Sequence, residues 1–175
     1  IFPGLKQYDE SDKNSFFGRE ETVENALEIL KKNKILIING AEGSGKTSLI
    51  NAGILNRVKS NFSGKFGKEW SVCKMRPGIN PIENLSISIS QNGALHYNEK
   101  PKANDFELYK LNLLKKTGLG LIEIYKNSTI FEKKNLLIVL DQTEDLFKNS
   151  KLFNSEFTEE DDLLINLIYK TVKNE

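Results

Sequence analysis

A chain of 175 residues with 38% apolar content is long enough to bury one core. Its formal charge of +1 gives no field that argues for nucleic acid or a membrane surface, so neither is expected as a partner. A single cysteine excludes an internal disulfide framework and fits a reducing cytoplasm, and no apolar run reaches the length of a membrane span.

Residues 1–17 read as an arm punctuated by Pro3, Gly4, Asp9 and Asp12, with Phe2, Tyr8, Phe16 and Phe17 as aromatic anchors. From Glu20 to Lys32 the apolar residues Val23, Ala26, Leu27 and Leu30 recur at helical spacing, with acids first and lysines last, as the helix dipole prefers. Ile35-Leu36-Ile37-Ile38 is a short β-branched run suited to a buried parallel strand over 35–39. A helix is expected from Thr47 to Val58, with Gly53 marking close helix–sheet packing. Asn61 to Lys68 reads as a loop. Trp70 to Met75 reads as a second strand, carrying Cys73 as a buried core thiol and ending in Arg76-Pro77-Gly78.

Asn80-Pro81-Ile82-Glu83 is a helix start, with Asn as N-cap and Pro in the first helical position. The alternation of Ser86-Ile87-Ser88-Ile89 is then read as part of that helix. Gln91 to Asn104 is polar and loop-like, and its lone His96 has no metal-ligand company. Helices follow over Asp105–Lys116 and Leu119–Tyr125. Leu136 to Leu140 is a third strand, ending in Asp141. Thr158-Glu159-Glu160-Asp161 caps a last helix through Val172.

The octapeptide Gly40-Ala41-Glu42-Gly43-Ser44-Gly45-Lys46-Thr47 is a complete Walker A pattern between a strand-like run and a helix. Glycines let backbone N–H groups curl around a diphosphate at the positive end of that helix. Lys46 would reach the β- and γ-phosphates and Thr47 would bind Mg²⁺, with ATP or ADP as ligand. Asp141, at the end of an apolar strand, has the Walker B pattern of a magnesium acid. A hydrolytic enzyme needs a second acid to orient or deprotonate water. Glu144 is the first candidate and Asp145 the second, although both could simply open the next helix. Only Arg19, Arg57 and Arg76 among 25 basic residues are arginine, and Arg19 and Arg76 sit in motif-like settings where a planar fork could matter.

Together these pieces resemble the signal-transducing STAND class of P-loop ATPases, closest to the bacterial "novel STAND" domains. The resemblance rests on Phe2-Pro3-Gly4-Leu5 with Phe16-Phe17-Gly18-Arg19-Glu20, on Gly40 to Ser48 continuing to Leu55, on Trp70 with Arg76-Pro77-Gly78 and Pro81, and on Leu136 to Phe147. Thr143 stands where an aromatic is usual, Asp145 where a second Glu is, and Ala41-Glu42 differ from the usual Pro-Ser type pair.

The resemblance implies an α/β, three-layer P-loop fold with a mainly parallel sheet, in which residues 1–19 form an arm contributing to the pocket and 20–175 the core. It also implies that Phe17, Gly18 and Arg19 line the adenine side and that Gly40 to Ser48 cradle the phosphates. The implied function is a cytoplasmic nucleotide switch with slow Mg²⁺-dependent ATP hydrolysis, oligomerising in the ATP state and acting on protein partners. Alternatives are a DNA-associated AAA+ type ATPase and a nucleotide-binding scaffold without turnover. In the additional-strand P-loop class a sensor strand follows Walker B. No candidate lies between Asp141 and Glu175, so that strand and the helical lid are expected beyond Glu175.

Overall fold

The computed structural model describes residues 7–60, 67–91, 95, 103–147 and 158–174. The chain forms two compact units, Ile1–Glu69 and Trp70–Glu175. The entry residues Phe2 to Leu5, most of the loop expected over 61–68 and His96 lie outside the described residues.

The first unit is built from a 3₁₀ turn (Glu10–Ser15), helix α1 (Glu20–Asn33) and one continuous helical run over 46–60. That run begins as α2 (Lys46–Ser48), widens into a π-helical segment (Leu49–Leu55) and returns to α-helix as α3 (Asn56–Ser60). The buried residues of α1 are Val23, Ala26, Leu27 and Leu30, the set its periodicity predicts. Lys34 ends α1 in the left-handed region at φ 59°, its N–H donating to the Leu30 carbonyl. Just past the π segment the Asn56 side-chain amide donates to the carbonyls of Asn51 (3.3 Å) and Ala52 (3.0 Å) and also to Glu10 O at 3.1 Å, tying the arm to this helix.

Two expectations for this unit change. Residues 35–39 have no strand partner among the described residues, and Ile35 and Ile37 are 42% and 83% exposed. A β-branched run supplies propensity, but only a neighbouring strand turns propensity into a ladder. Gly53 does mark a close approach, but its neighbours are the α1 side chain Val23 and Phe16 of the arm, not a sheet. A Cβ there would lie 2.7 Å from Val23 Cγ2 and 3.2 Å from Phe16 Cε1. Gly-to-Ala in a helix normally gains up to about 1 kcal/mol. At Gly53 the stiff β-branched neighbour reverses the sign. Gly53→Ala is expected to lose about 1–3 kcal/mol as overpacking, read as a lowered melting temperature.

The second unit contains β1 (Glu69–Met75), α4 (Pro81–Gln91), α5 (Ala103–Lys116), α6 (Gly120–Lys126), β2 (Lys134–Leu140) and α7 (Glu159–Lys173). β1 and β2 pair as a two-stranded parallel sheet, and the helical crossover between them is what parallel strands require. The ladder reaches its C-terminal end at Asp141, whose N–H donates to Met75 O at 2.9 Å.

Cys73 and Met75 of β1 share a core with Ile82, Leu85 and Ile89 of α4 and with Leu164 and Leu167 of α7. The i, i+3, i+7 spacing of the three α4 residues shows why the Ser-Ile alternation is helical. All seven residues of β2 are only partly buried, because the strand has one ladder partner among the described residues. The last helix starts as expected. Thr158 and Asp161 form a reciprocal capping box, with Asp161 N–H donating to Thr158 Oγ1 at 3.2 Å and Thr158 N–H donating to Asp161 Oδ2 at 3.1 Å. Among the described residues no helix is long and apolar enough to cross a membrane.

Lys110 is the anomaly of this core. It is fully buried on α5, with its ammonium donating to Ser90 Oγ at 2.9 Å. Burial lowers its pKa to about 8, against opposing pulls from Cys73 and Glu107. Unfolded lysine keeps its proton to about 10.5, so the unfolded state binds more protons between those values. The penalty of burying Lys110 is therefore full below about pH 8 and fades as pH rises. The melting temperature of the wild type is expected to gain on that of Lys110→Met between pH 7 and 9, and parallel curves would show that the lysine does not titrate there. Cys73, pushed up to about 12 chiefly by burial, acts in the opposite direction only above pH 9, beyond that window.

Candidate nucleotide site

The candidate phosphate loop lies in the first unit. Gly43 (φ 75°) and Gly45 (φ 82°) both take left-handed backbone conformations, and a Cβ on either would meet nothing within 4 Å. Backbone conformation and not space is therefore what demands glycine there. Ser44 N–H donates to Ala41 O at 3.2 Å, which closes the turn, and Leu49 N–H donates to Gly45 O at 2.8 Å, which starts the helical run. Residues Gly40 to Gly45 are exposed, so the loop meets solvent at the positive end of a helix continuous over 46–60. Glu42 is exposed with them.

Lys46 folds back over this loop. Its ammonium donates to the carbonyls of Gly40 (2.8 Å) and Ala41 (3.0 Å), so the cation already sits above the turn that carries the candidate phosphate ligands. Thr47 is partly buried beside it. Ser48 is buried, and its hydroxyl accepts the Tyr8 N–H at 3.1 Å. That bond fastens the arm to the helix following the loop, a role sequence reasoning did not see. Glu10 adds an ion pair with Lys59 at 2.6 Å, and Tyr8 meets Phe16 edge to face at 5.7 Å.

The arm thus separates into an anchor and a free tip. Phe16 packs against Tyr8 and beside Gly53, whereas Phe17 is 75% exposed and Gly18 (φ 81°) and Arg19 are exposed with it. Glu20 stiffens this tip. Its carboxylate accepts the Gly18 N–H at 3.1 Å and is held below its usual pKa, first by its own backbone N–H and then by that of Gly18. The third arginine considered, Arg57, makes an exposed 3.7 Å pair with Glu24.

The candidate acidic residues lie in the second unit. Asp141 is buried at the C-terminal end of β2, where its backbone completes the pairing with β1. Gln142 follows in the left-handed region at φ 58°, uncommon for a residue with a side chain and a conformation that clusters at functional loops. The turn is closed by Asp145 N–H to Gln142 O (3.0 Å) and Leu146 N–H to Thr143 O (3.1 Å), which begin a helical turn over 144–147. Within it Glu144 is exposed, Asp145 half-buried and Leu146 buried in the core.

A buried carboxylate needs a cation, and Asp141 has one: Lys74 Nζ lies 3.5 Å from its Oδ2. Lys74 is missed by motif reading. Its signal is the parallel register, which places the residue before Met75 next to the end of β2. No cluster of three His, Cys, Asp or Glu side chains occurs among the described residues.

Among curated proteins, UvrABC system protein A of Mycoplasmopsis pulmonis (strain UAB CTIP) is 27% identical over 139 residues, covering 77% of this chain. The chain spans only 15% of that relative's length. No solved structure matches significantly. The family model described as Novel STAND NTPase 1 matches residues 2–174, from the arm through the phosphate loop and the Asp141 turn to the last helix. A match over nearly the whole chain identifies it as a member of the Novel STAND NTPase 1 family.

Proposed function

We propose that this chain is the ATP- and ADP-binding switch domain of a signal-transducing STAND-type NTPase, with slow Mg²⁺-dependent ATP hydrolysis. The observation that carries the reading is the exposed loop whose two positive-φ glycines open onto the start of a 46–60 helix beneath the Lys46 ammonium. In this reading the fold is the three-layer P-loop type with a mainly parallel sheet, residues 1–19 are the arm and 20–175 the core, and the domain works in the cytoplasm.

The residues take separate roles. Backbone N–H groups from Ala41 to Thr47, with Ser48 behind them, face the phosphates, and Lys46 exchanges its carbonyl partners for β- and γ-phosphate oxygens. Thr47 and Asp141 would hold Mg²⁺, which when bound neutralises charge on the triphosphate. Glu144 orients or deprotonates the attacking water, with Asp145 next in line. The stiff, exposed tip of Phe17, Gly18 and Arg19 offers a ring and a guanidinium fork to the base side. Contacts to the third phosphate and to the metal differ between ATP and ADP states. That difference supplies the differential affinity a switch needs, and self-association in the ATP state would be its output.

Titration of labelled ATP and ADP into the wild type and Asp141→Asn, each with and without Mg²⁺, tests this assignment. Asp141→Asn is expected to lose far more affinity with the metal than without it. An equal loss in both would remove Asp141 from the metal site, and no binding by the wild type in either condition would overturn the reading.

A further inference from the structure

At the C-terminal end of β1 a cleft of about 460 Å³ is lined by Lys74, Met75, Arg76, Asn84, Ile87 and Ser88. Two of these are cations, two are neutral hydrogen-bonding groups, and none is an acid. Arg76 takes part in no ion pair among the described residues. The turn that follows it is braced. Asn84 Nδ2 donates to Pro77 O at 2.8 Å, and Gly78 (φ 58°) lies so close that a Cβ would be 3.1 Å from the same amide nitrogen. A guanidinium on a braced turn opposite a hydroxyl-bearing helix face suits a tetrahedral oxyanion.

Lys74 belongs to this cleft and also to Asp141, whose Oδ2 its ammonium neutralises at 3.5 Å. We propose that the cleft binds a free tetrahedral dianion of the phosphate class, and that Lys74 is shared between that anion and Asp141. The inference rests on the reading of Asp141 as a magnesium acid. With the cleft empty, the ammonium stays on Asp141 and opposes the metal by charge repulsion and by occupying its ligand. With an oxyanion between Lys74 and Arg76, the ammonium is drawn to the anion and the carboxylate is released to the metal. Linkage makes the effect reciprocal: metal on Asp141 frees Lys74 and strengthens anion binding. Orthophosphate is the ion that a hydrolysing NTPase releases, so the cleft would let product act on metal affinity in the same unit.

The test uses Mn²⁺ as an EPR-visible stand-in for Mg²⁺ and sulfate as the oxyanion, at constant ionic strength with chloride exchanged for sulfate. All proteins are saturated with ADP, so that the phosphate loop is filled and does not answer for the cleft. Sulfate is expected to tighten Mn²⁺ binding about fivefold or more, the lower end of usual coupling between sites. Adding Arg76→Gln abolishes the sulfate effect. Adding Lys74→Gln tightens Mn²⁺ without sulfate and removes the response, whereas Lys74→Arg, which keeps the charge, retains it. Mn²⁺ affinity that falls in Asp141→Asn but ignores sulfate overturns the cleft proposal and leaves the metal reading standing. Mn²⁺ affinity unchanged by Asp141→Asn overturns both.

Discussion

Replacing Lys46 by Ala is expected to abolish triphosphate binding. The ammonium bridges the Gly40 and Ala41 carbonyls, so it does two jobs in one place. It holds the turn closed, and it is the one cationic side chain of the octapeptide. Truncation leaves phosphate charge unmatched and removes two bonds that shape the loop. An unmade charged hydrogen bond costs at least about 1–3 kcal/mol, and each 1.4 kcal/mol is about a tenfold loss of affinity. Losing several such contacts takes a micromolar ligand out of measurable range.

The alternative view of this loop is a glycine-rich turn in which Lys46 is only a local brace. In that case Lys46→Ala would alter stability slightly and leave nucleotide affinity alone. Fluorescence titration with labelled ATP separates the two, since retained micromolar affinity in the variant would sink the phosphate assignment. A melting curve of the same variant checks that the first unit remains folded.

How much of this was legible in the sequence depended on whether the cause was local. Helix α1, the α4 start at Asn80-Pro81 and the Thr158 capping box follow from periodicity and caps, and the structure has them within a residue or two. The positive-φ conformations of Gly43 and Gly45 follow equally from the motif's spacing. Strand formation was only half legible. The runs 70–75 and 136–140 pair with each other, but 35–39, richer in β-branched residues than either, finds no ladder among the described residues. Propensity is written in the segment, whereas the partner lies elsewhere in the chain.

The same distinction governs the candidate site. The two Walker-like patterns are visible in the sequence because contiguous residues carry each of them. Lys74 at Asp141, Ser48 at Tyr8 and Asn56 at Glu10 join residues 67, 40 and 46 positions apart. Nothing in their local pattern marks them. Gly53 was legible as a close contact but not as to what it touches, because a missing Cβ signals proximity without naming the neighbour. Gln142 gave no warning of its left-handed backbone, which only the tight exit from β2 requires.

Glu144→Gln is expected to slow ATP hydrolysis about 10²-fold or more while ATP binding persists, the usual scale for a lost general base. In barrier terms 10² is about 2.7 kcal/mol. That magnitude discriminates between the two accounts of this residue. As the opening acid of the helical turn over 144–147, Glu144 would merely favour the positive helix end, worth about 0.3–1 kcal/mol of stability, and would leave turnover untouched. As the catalytic acid it would control the rate and contribute little to stability, which its exposed position fits.

Gln keeps the size and one acceptor of Glu but cannot take a proton, so a fall in single-turnover hydrolysis at unchanged ATP affinity isolates the chemical step. Asp145 is the internal comparison. It is half-buried, its N–H is committed to Gln142 O at 3.0 Å, and its side chain is one methylene shorter. If Glu144→Gln hydrolyses ATP at the wild-type rate and Asp145→Asn does not, the base is Asp145, and the turn set by Gln142 positions the second acid in place of the first. If neither variant slows hydrolysis, the Asp141 turn does not supply the base at all. A domain that binds ATP yet shows no turnover even as wild type would be a nucleotide-gated scaffold, switched by exchange of ligand and not by chemistry.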